Sequence, residues 1–140
     1  MNELSDSLPD GRRVRVLVVD DSRFARRIIQ MCLEDSGRCK VIGQAVDGRE
    51  GLELIKRLQP DVVTLDLDMP RFDGRHVLEG LGNAGSVGVV IVTAMPLTER
   101  YHDLKDTYPI VPKAFSEQSL DFSLFANELV DKVWSAAKTP

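Results

Sequence analysis

The sequence predicts a doubly wound α/β domain: a five-stranded parallel sheet with helices on both faces, in a single domain. Three observations point there. Strand and helix signals alternate five times along the chain. The strand runs are continuous and apolar rather than alternating, as strands buried on both faces are. The connections between them are too short for hairpin returns, which leaves helical crossovers and a parallel sheet.

The elements follow in order. Residues 1–12 are polar and carry Pro9 and Gly11, so a flexible N-terminal tail is expected, with the folded domain spanning 13–137. "VRVLVV" (14–19) is a β-branched run that ends in Asp20 and Asp21. Ser22 is placed to cap a helix with Phe24, Ile28, Met31 and Cys32 on its inner face, ending near Gly37. "KVIGQA" (40–45) is a weaker strand. Asp47, with Glu50 three residues on, caps a second helix that turns Leu54, Ile55 and Leu58 inward and closes at Pro60. "DVVTLD" (61–66) is the third strand, followed by a loop through Pro70 and Gly74 and a short helix from about Arg75 to Leu81. "VGVVIVTA" (87–94) is a fourth strand, 97–107 has room for a short helix, and "IVP" (110–112) is a brief fifth strand. Phe122, Phe125, Ala126, Leu129 and Val133 recur at helical spacing and mark a final helix.

Composition narrows the function. With 43% hydrophobic and 29% charged residues in a chain of 140, an ordinary globular core is affordable within one domain. A net charge of −4 and the lack of a basic run argue against nucleic acid as a partner. No apolar stretch is long enough to span a membrane and no signal-peptide core opens the chain, so a cytoplasmic protein is expected. Cys32 and Cys39 form no CxxC motif and read as reduced thiols. His76 and His102 stand apart in polar surroundings and read as surface residues. "GLGNAG" (80–85) matches a dinucleotide fingerprint, but a helix precedes it and a strand follows, the reverse of what that motif requires.

In a parallel sheet, ligands bind beyond the carboxyl ends of the strands. There the first strand delivers Asp20 and Asp21, the third Asp66, the fourth Thr93 and the fifth Lys113. Any one of them alone reads as a helix cap, a strand-end hydroxyl or a solvated charge. Together, at four strand ends, they form a site. Clustered carboxylates repel unless a cation joins them, and a hard divalent ion with oxygen ligands, Mg²⁺, suits the set. A lysine then acts as a point charge on phosphate oxygens. These are the parts of an aspartyl-phosphate site.

"VLVVDDS", "VVTLDLDMPRFDG", "VIVTA" and "PKAF" occur in the order found in the receiver domain of bacterial two-component response regulators, which the chain resembles from about Val14 to Trp134. The resemblance implies a flavodoxin-like strand order and a phospho-accepting Asp66. It also implies Mg²⁺ held by Asp20, Asp21, Asp66 and the backbone carbonyl of Asp68, with Thr93 as switch hydroxyl and Lys113 as phosphate contact. "DDSRFARRIIQ" and "VDGREGLELIKRLQPDVVTLD" look most like the receiver of the chemotaxis methylesterase, yet no Ser-His-Asp apparatus can be assembled from these residues. Implied partners are a sensor histidine kinase or phosphotransfer protein as donor, and a separate downstream partner or an output domain as target. The surface around residues 95–115 is where phosphorylation would be read.

Three departures bear on that surface. Ile110 stands where the family has an aromatic, the segment from Thr93 to Lys113 is slightly short, and Ala114 replaces the usual proline after the lysine, with Pro112 before it. A cis bond before Ala114 would cost about 3 kcal/mol, so a trans Lys113–Ala114 bond is expected. Two other readings compete. "LDLDMP" (65–70) resembles the nucleophile motif of haloacid-dehalogenase-type phosphatases, although Pro70 stands where Thr or Val is required and the acidic pair precedes the nucleophile. A degenerate receiver acting as an interaction module would not need all the site residues that are present.

Overall fold

The computed structural model describes residues 11–69, 73–81, 87–94, 102–115 and 121–138. Five strands, β1 (Val14–Val19), β2 (Cys39–Ala45), β3 (Val62–Leu65), β4 (Gly88–Thr93) and β5 (Ile110–Pro112), form one sheet in the order β2-β1-β3-β4-β5. Every neighbouring pair is parallel. Among the described residues, four α-helices connect and flank them: α1 (Arg23–Asp35), α2 (Gly48–Leu58), α3 (Gly74–Leu81) and α4 (Ser123–Lys138). This is the doubly wound, flavodoxin-like architecture expected.

The two-residue period of the strands sorts the core into two halves. Val14, Val16 and Val18 of β1, with Val62, Val90 and Val92, pack beneath α1 and α4. Leu17 and Val19, with Val63, Leu65, Val89 and Ile91, pack beneath α2 and α3. Each such side chain taken fully from water contributes roughly 1.5–3 kcal/mol. Because both faces are covered, the strands have no polar side to show, which is why they read as continuous apolar runs.

The helix ends follow the local chemistry. Ser22 Oγ accepts from Ala25 N at 3.1 Å at the start of α1, and Gly37 beyond its end takes φ +76°, a conformation open to glycine. Asp47 Oδ1 accepts from Glu50 N at 2.9 Å, and the Glu50 carboxylate reaches back to Val46 N. The C-terminus of α2 is closed by Gln59 in the left-handed region and by Arg15, whose guanidinium donates to the Leu58 and Gln59 carbonyls at 2.8 Å each. Arg12, the last residue of the expected tail, pairs with Asp61 at 2.9 Å.

Two elements depart from expectation. The buried stripe of α1 is Ala25, Ile28, Ile29, Cys32 and Leu33, a regular i, i+3, i+4, i+7, i+8 pattern. Met31 falls outside it and is 41% exposed. Phe24 lies at the stripe's edge and leans on Phe115, whose ring centroid is 6.0 Å away. In the stretch expected to hold a short helix, the described part is a single 3₁₀ segment, His102–Asp106, seated by the buried Leu104; residues 95–101 lie outside the described residues. Among the described residues, no helix is long and apolar enough to cross a membrane.

Candidate functional site

The connections of β1 diverge at its carboxyl end: β2 lies to one side and β3 to the other, opening a crevice between the loops after β1 and β3. The ladder continues past the last strand residues and holds the polar ones in place. Asp20 N donates to Ala45 O at 3.1 Å, Asp66 N to Val19 O at 3.0 Å, and Lys113 N to Thr93 O at 2.9 Å. The predicted residues are thus carried to the same edge by backbone pairing.

Asp20, Asp21 and Asp66 converge: one carboxylate oxygen from each lies within 4.8 Å of the others. Asp66 is 4% exposed and Asp20 is 1% exposed, while Asp21 lies open to solvent. Lys113 reaches in from beyond β5, with Nζ 2.7 Å from Asp20 Oδ2 and 3.5 Å from Asp66 Oδ2. Asp68 N donates to Asp66 Oδ1 at 3.3 Å, and Ser22 N to Asp20 Oδ1 at 2.9 Å. Thr93 is buried at the end of β4, in register with Pro112. All of the predicted residues therefore gather at one edge, with Asp68 contributing through its backbone and its side chain turned outward.

The electrostatics mark Asp66 apart. Burial, with the Asp20 and Asp21 charges adding to it, outweighs the pull of the Lys113 ammonium and the Asp68 N–H, and pushes its carboxyl up to about 6. Asp20 Oδ2 is fully buried, and the ammonium meets it outside hydrogen-bonding geometry, so its charge is countered while its acceptor capacity stays unused. Among the described residues, three carboxylates share a single lysine, which leaves the cluster short of positive charge. The donor set is all oxygen, as a hard divalent cation requires.

Lys113 is aimed without the lysine–proline bond usual in the family. No cis peptide bond occurs among the described residues, so Lys113–Ala114 is trans, as expected. Instead Ala114 N donates to Pro112 O at 2.8 Å, closing a three-residue turn centred on Lys113. Two residues on, Phe115 packs 4.7 Å from Phe125 and 6.2 Å from Phe122, which ties the lysine's segment to α4 as well as α1.

Other polar residues resolve into structural roles. Asp73, the third carboxylate of the "LDLDMPRFDG" stretch, is buried and accepts from His76 N at 3.2 Å, capping α3 and standing apart from the acidic cluster. His76 and His102 are exposed, the former 3.1 Å from Asp73. In the sequence Gly74 reads only as a loop residue, yet a Cβ there would lie 2.8 Å from Asp66 O and from Leu67 Cα. The start of α3 is thereby pressed onto the backbone of the acidic loop. The GxGxxG-like run is preceded by α3, which contains Gly80 and Leu81, and followed by β4, so its order is indeed reversed.

The response regulator receiver domain family matches residues 16–121. The chain is 34% identical over 134 residues to a protein-glutamate methylesterase/protein-glutamine glutaminase of Pyrococcus abyssi, an alignment covering 93% of this chain and 36% of that protein. The protein-glutamate methylesterase/protein-glutamine glutaminase 2 of Koribacter versatilis is 38% identical over 133 residues, 91% of this chain and 37% of that one. The chain thus spans little more than a third of the length of these curated relatives. Among solved structures, the response regulator domain of Thermotoga maritima CheB superposes with a TM-score of 0.79 at 31% identity, covering 92% of this chain and 99% of that domain. Fold, strand order and a match over three quarters of the residues agree: the chain belongs to the receiver domain family of two-component response regulators.

Proposed function

We propose that this receiver takes a phosphoryl group onto Asp66 from a histidine kinase or phosphotransfer protein, in a Mg²⁺-dependent reaction, and passes the signal on through the surface formed by residues 95–115. The observation that carries this reading is a carboxylate 4% exposed, flanked by two further carboxylates and by a lysine 3.5 Å away. Such a group has little structural purpose, since an apolar residue there would be more stable. The receiver unit is taken as residues 13–137, following a tail over residues 1–12.

Asp66 is the nucleophile. With its carboxyl at about 6, it is mostly ionised at neutral pH yet poorly solvated, and so ready to attack phosphorus as the donor's N–P bond breaks. Asp20, Asp21, Asp66 and the Asp68 carbonyl would hold Mg²⁺, which when bound supplies positive charge against the phosphoryl oxygens. Lys113 countercharges Asp20 and Asp66 and is placed to meet a phosphoryl oxygen as a point charge. Thr93, at the edge of the same crevice, supplies a hydroxyl to the phosphorylated form. Among the described residues near Asp66, none is an evident general base that would activate water rapidly. The chain therefore acts as a phosphoryl acceptor rather than as a turnover enzyme.

The kinship with methylesterases points to a chemotaxis-type phosphorelay in the cytoplasm, with a methylesterase-type output domain or a separate protein as target. Nothing in the site favours a haloacid-dehalogenase-type phosphatase: the acidic pair comes from β1, ahead of the nucleophile, and the family match lies elsewhere. A degenerate receiver would not retain acid pair, acceptor and lysine together.

Intact-mass measurement after incubation with acetyl phosphate tests the reading. One phosphoryl group should add in Mg²⁺ and decay slowly, and none should add in EDTA. Equal labelling in EDTA, or rapid multiple turnover of p-nitrophenyl phosphate, would overturn it.

A further inference from the structure

Beneath the acidic pair lies a polar relay that the phosphoryl chemistry does not itself use. Arg26, in the first turns of α1, folds back so that Nη1 donates to Asp20 O at 2.7 Å. Its Nε donates to Gln44 Oε1 at 3.1 Å, across on β2. The Gln44 amide donates in turn to Gln30 Oε1, one turn along α1 from Arg26. Gln30 Nε2 then donates to Glu34 Oε1 at 3.3 Å, and Glu34 Oε2 accepts from Val41 N at 3.2 Å. The chain of bonds runs from the loop after β1, along one side of α1, to β2.

The first bond decides what the relay does. The Asp20 carbonyl belongs to the peptide that joins Asp20 to Asp21. Asp20 is buried and anchored at three other points: its N–H on Ala45 O, Oδ1 on Ser22 N, and Oδ2 beside Lys113. Asp21 has an exposed side chain, and the orientation of that peptide helps to set where its carboxylate hangs. A donor on the carbonyl oxygen restrains rotation of that plane, and in this arrangement a carboxylate oxygen of Asp21 lies within 4.8 Å of those of Asp20 and Asp66.

We infer that Arg26, held by Gln44, is a positioning residue that orients the Asp20–Asp21 peptide so that the acidic pair is preset for a divalent cation. The inference rests on the Mg²⁺ site proposed above and adds to it the part that arranges its ligands. Guanidinium is the group suited to the task, because two donors in one rigid plane serve two acceptors on different elements. A lysine has one ammonium on a flexible stem and would keep the charge while losing one of the two bonds. Gln44 accepts through Oε1 and donates through Nε2, so its amide orientation is set from both ends, by Arg26 on one side and Gln30 on the other. Its half-buried place beside Ala45 on β2 is thereby explained.

Calorimetric titration of Mg²⁺ into the folded protein, alongside thermal melting in EDTA, tests this with wild type, Arg26→Gln, Arg26→Lys and Gln44→Met. Partners that orient metal ligands typically change affinity by about 10–100-fold when removed, and Arg26→Gln should weaken Mg²⁺ binding about tenfold. Gln44→Met should weaken it less, and Arg26→Lys should fall between wild type and Arg26→Gln. Phosphorylation by acetyl phosphate should then need more Mg²⁺ but recover most of its rate at saturating Mg²⁺. A merely structural role would lower the melting temperature and leave the Mg²⁺ dissociation constant alone. Dissociation constants within about twofold of wild type in both Arg26→Gln and Gln44→Met, well short of the usual loss, would overturn the inference. Should Arg26→Gln not fold, Gln44→Met, which keeps the guanidinium, decides alone. Wild type that binds no Mg²⁺ would instead overturn the metal site itself, so the two failures are distinguishable.

Discussion

Lys113 Nζ stands 2.7 Å from Asp20 Oδ2, nearer than the 3.5 Å that separates it from Asp66 Oδ2. One ammonium is shared unequally between two buried carboxylates, and Asp66 has the lesser share. This asymmetry is consistent with the raised pKa of Asp66, and it leaves the metal-free site storing repulsion.

That repulsion should be visible as stability. The folded-state carboxyl of Asp66, at about 6, lies above its ordinary value of 3.8, so the native state binds the extra proton between those values. Stability contributed by protonated Asp66 is full below 3.8 and is lost as pH rises through 6. In EDTA at pH 7.5, Asp66→Asn should therefore be more stable than wild type, by up to roughly 3 kcal/mol. The gain should vanish near pH 3.5. Urea melts of both proteins across that range check it, and a gain independent of pH would contradict it.

Removing the shared cation should do the opposite. Lys113→Met leaves Asp20 and Asp66 buried without the lysine's countercharge, a change that costs about 3–5 kcal/mol when one partner of a buried pair is deleted. The Asp66 carboxyl should titrate higher than in wild type, followed by carboxyl-carbon NMR. An unchanged titration would mean that the lysine does not govern the acceptor.

Gly74 offers a test remote from charge. A methyl group there would press on Asp66 O and Leu67 Cα at 2.8 Å, and both are backbone. Gly74→Ala should cost about 1–3 kcal/mol, as overpacking does, and should slow phosphorylation by displacing the acidic loop. Wild-type labelling kinetics in this variant would show that the loop tolerates the shift.

The output surface is expected to respond through order. Ile110 is half-buried in the core beneath α2 and α3 and has no ring to swing, so rotamer exchange at that position cannot carry the signal. Nearby, the His102–Asp106 segment is held by Leu104 and by a two-pronged pair, Arg75 Nη2 to Asp103 Oδ1 at 2.8 Å and Nη1 to Oδ2 at 3.3 Å. Arg75 follows directly on Gly74, so the pair links the acidic loop to this segment. Exposed pairs of this kind contribute only about 0–1 kcal/mol, which leaves the segment easy to shift. Amide exchange across residues 95–109 should slow when beryllofluoride and Mg²⁺ are added. Protection confined to the loop after β3 would contradict this.

The strands and the site were legible in the sequence for one reason: a sheet buried on both faces writes each strand as an apolar run, and the polar residue that ends the run is the one at the rim. Asp20, Asp66, Thr93 and Lys113 could be placed that way before any resemblance was considered. The roles of the individual residues came from the resemblance. What escaped depends on side-chain reach and close approach, which periodicity does not record. Met31 falls one position outside the buried stripe of α1. Arg26 and Gln44 carry no pattern that says they meet, and Gly74 looks like any loop glycine until its distance to Asp66 O is known. The turn that aims Lys113 depends on a single backbone bond from Ala114 to Pro112.

The central claim is that Asp66, and no other residue, takes the phosphoryl group. Borohydride reduction of the protein after brief exposure to acetyl phosphate and Mg²⁺ converts an aspartyl phosphate to homoserine, and tandem mass spectrometry of the peptides locates it. The account predicts homoserine at position 66 alone, and none in Asp66→Asn. Homoserine at position 20, 21 or 68, or its persistence elsewhere in Asp66→Asn, would contradict it.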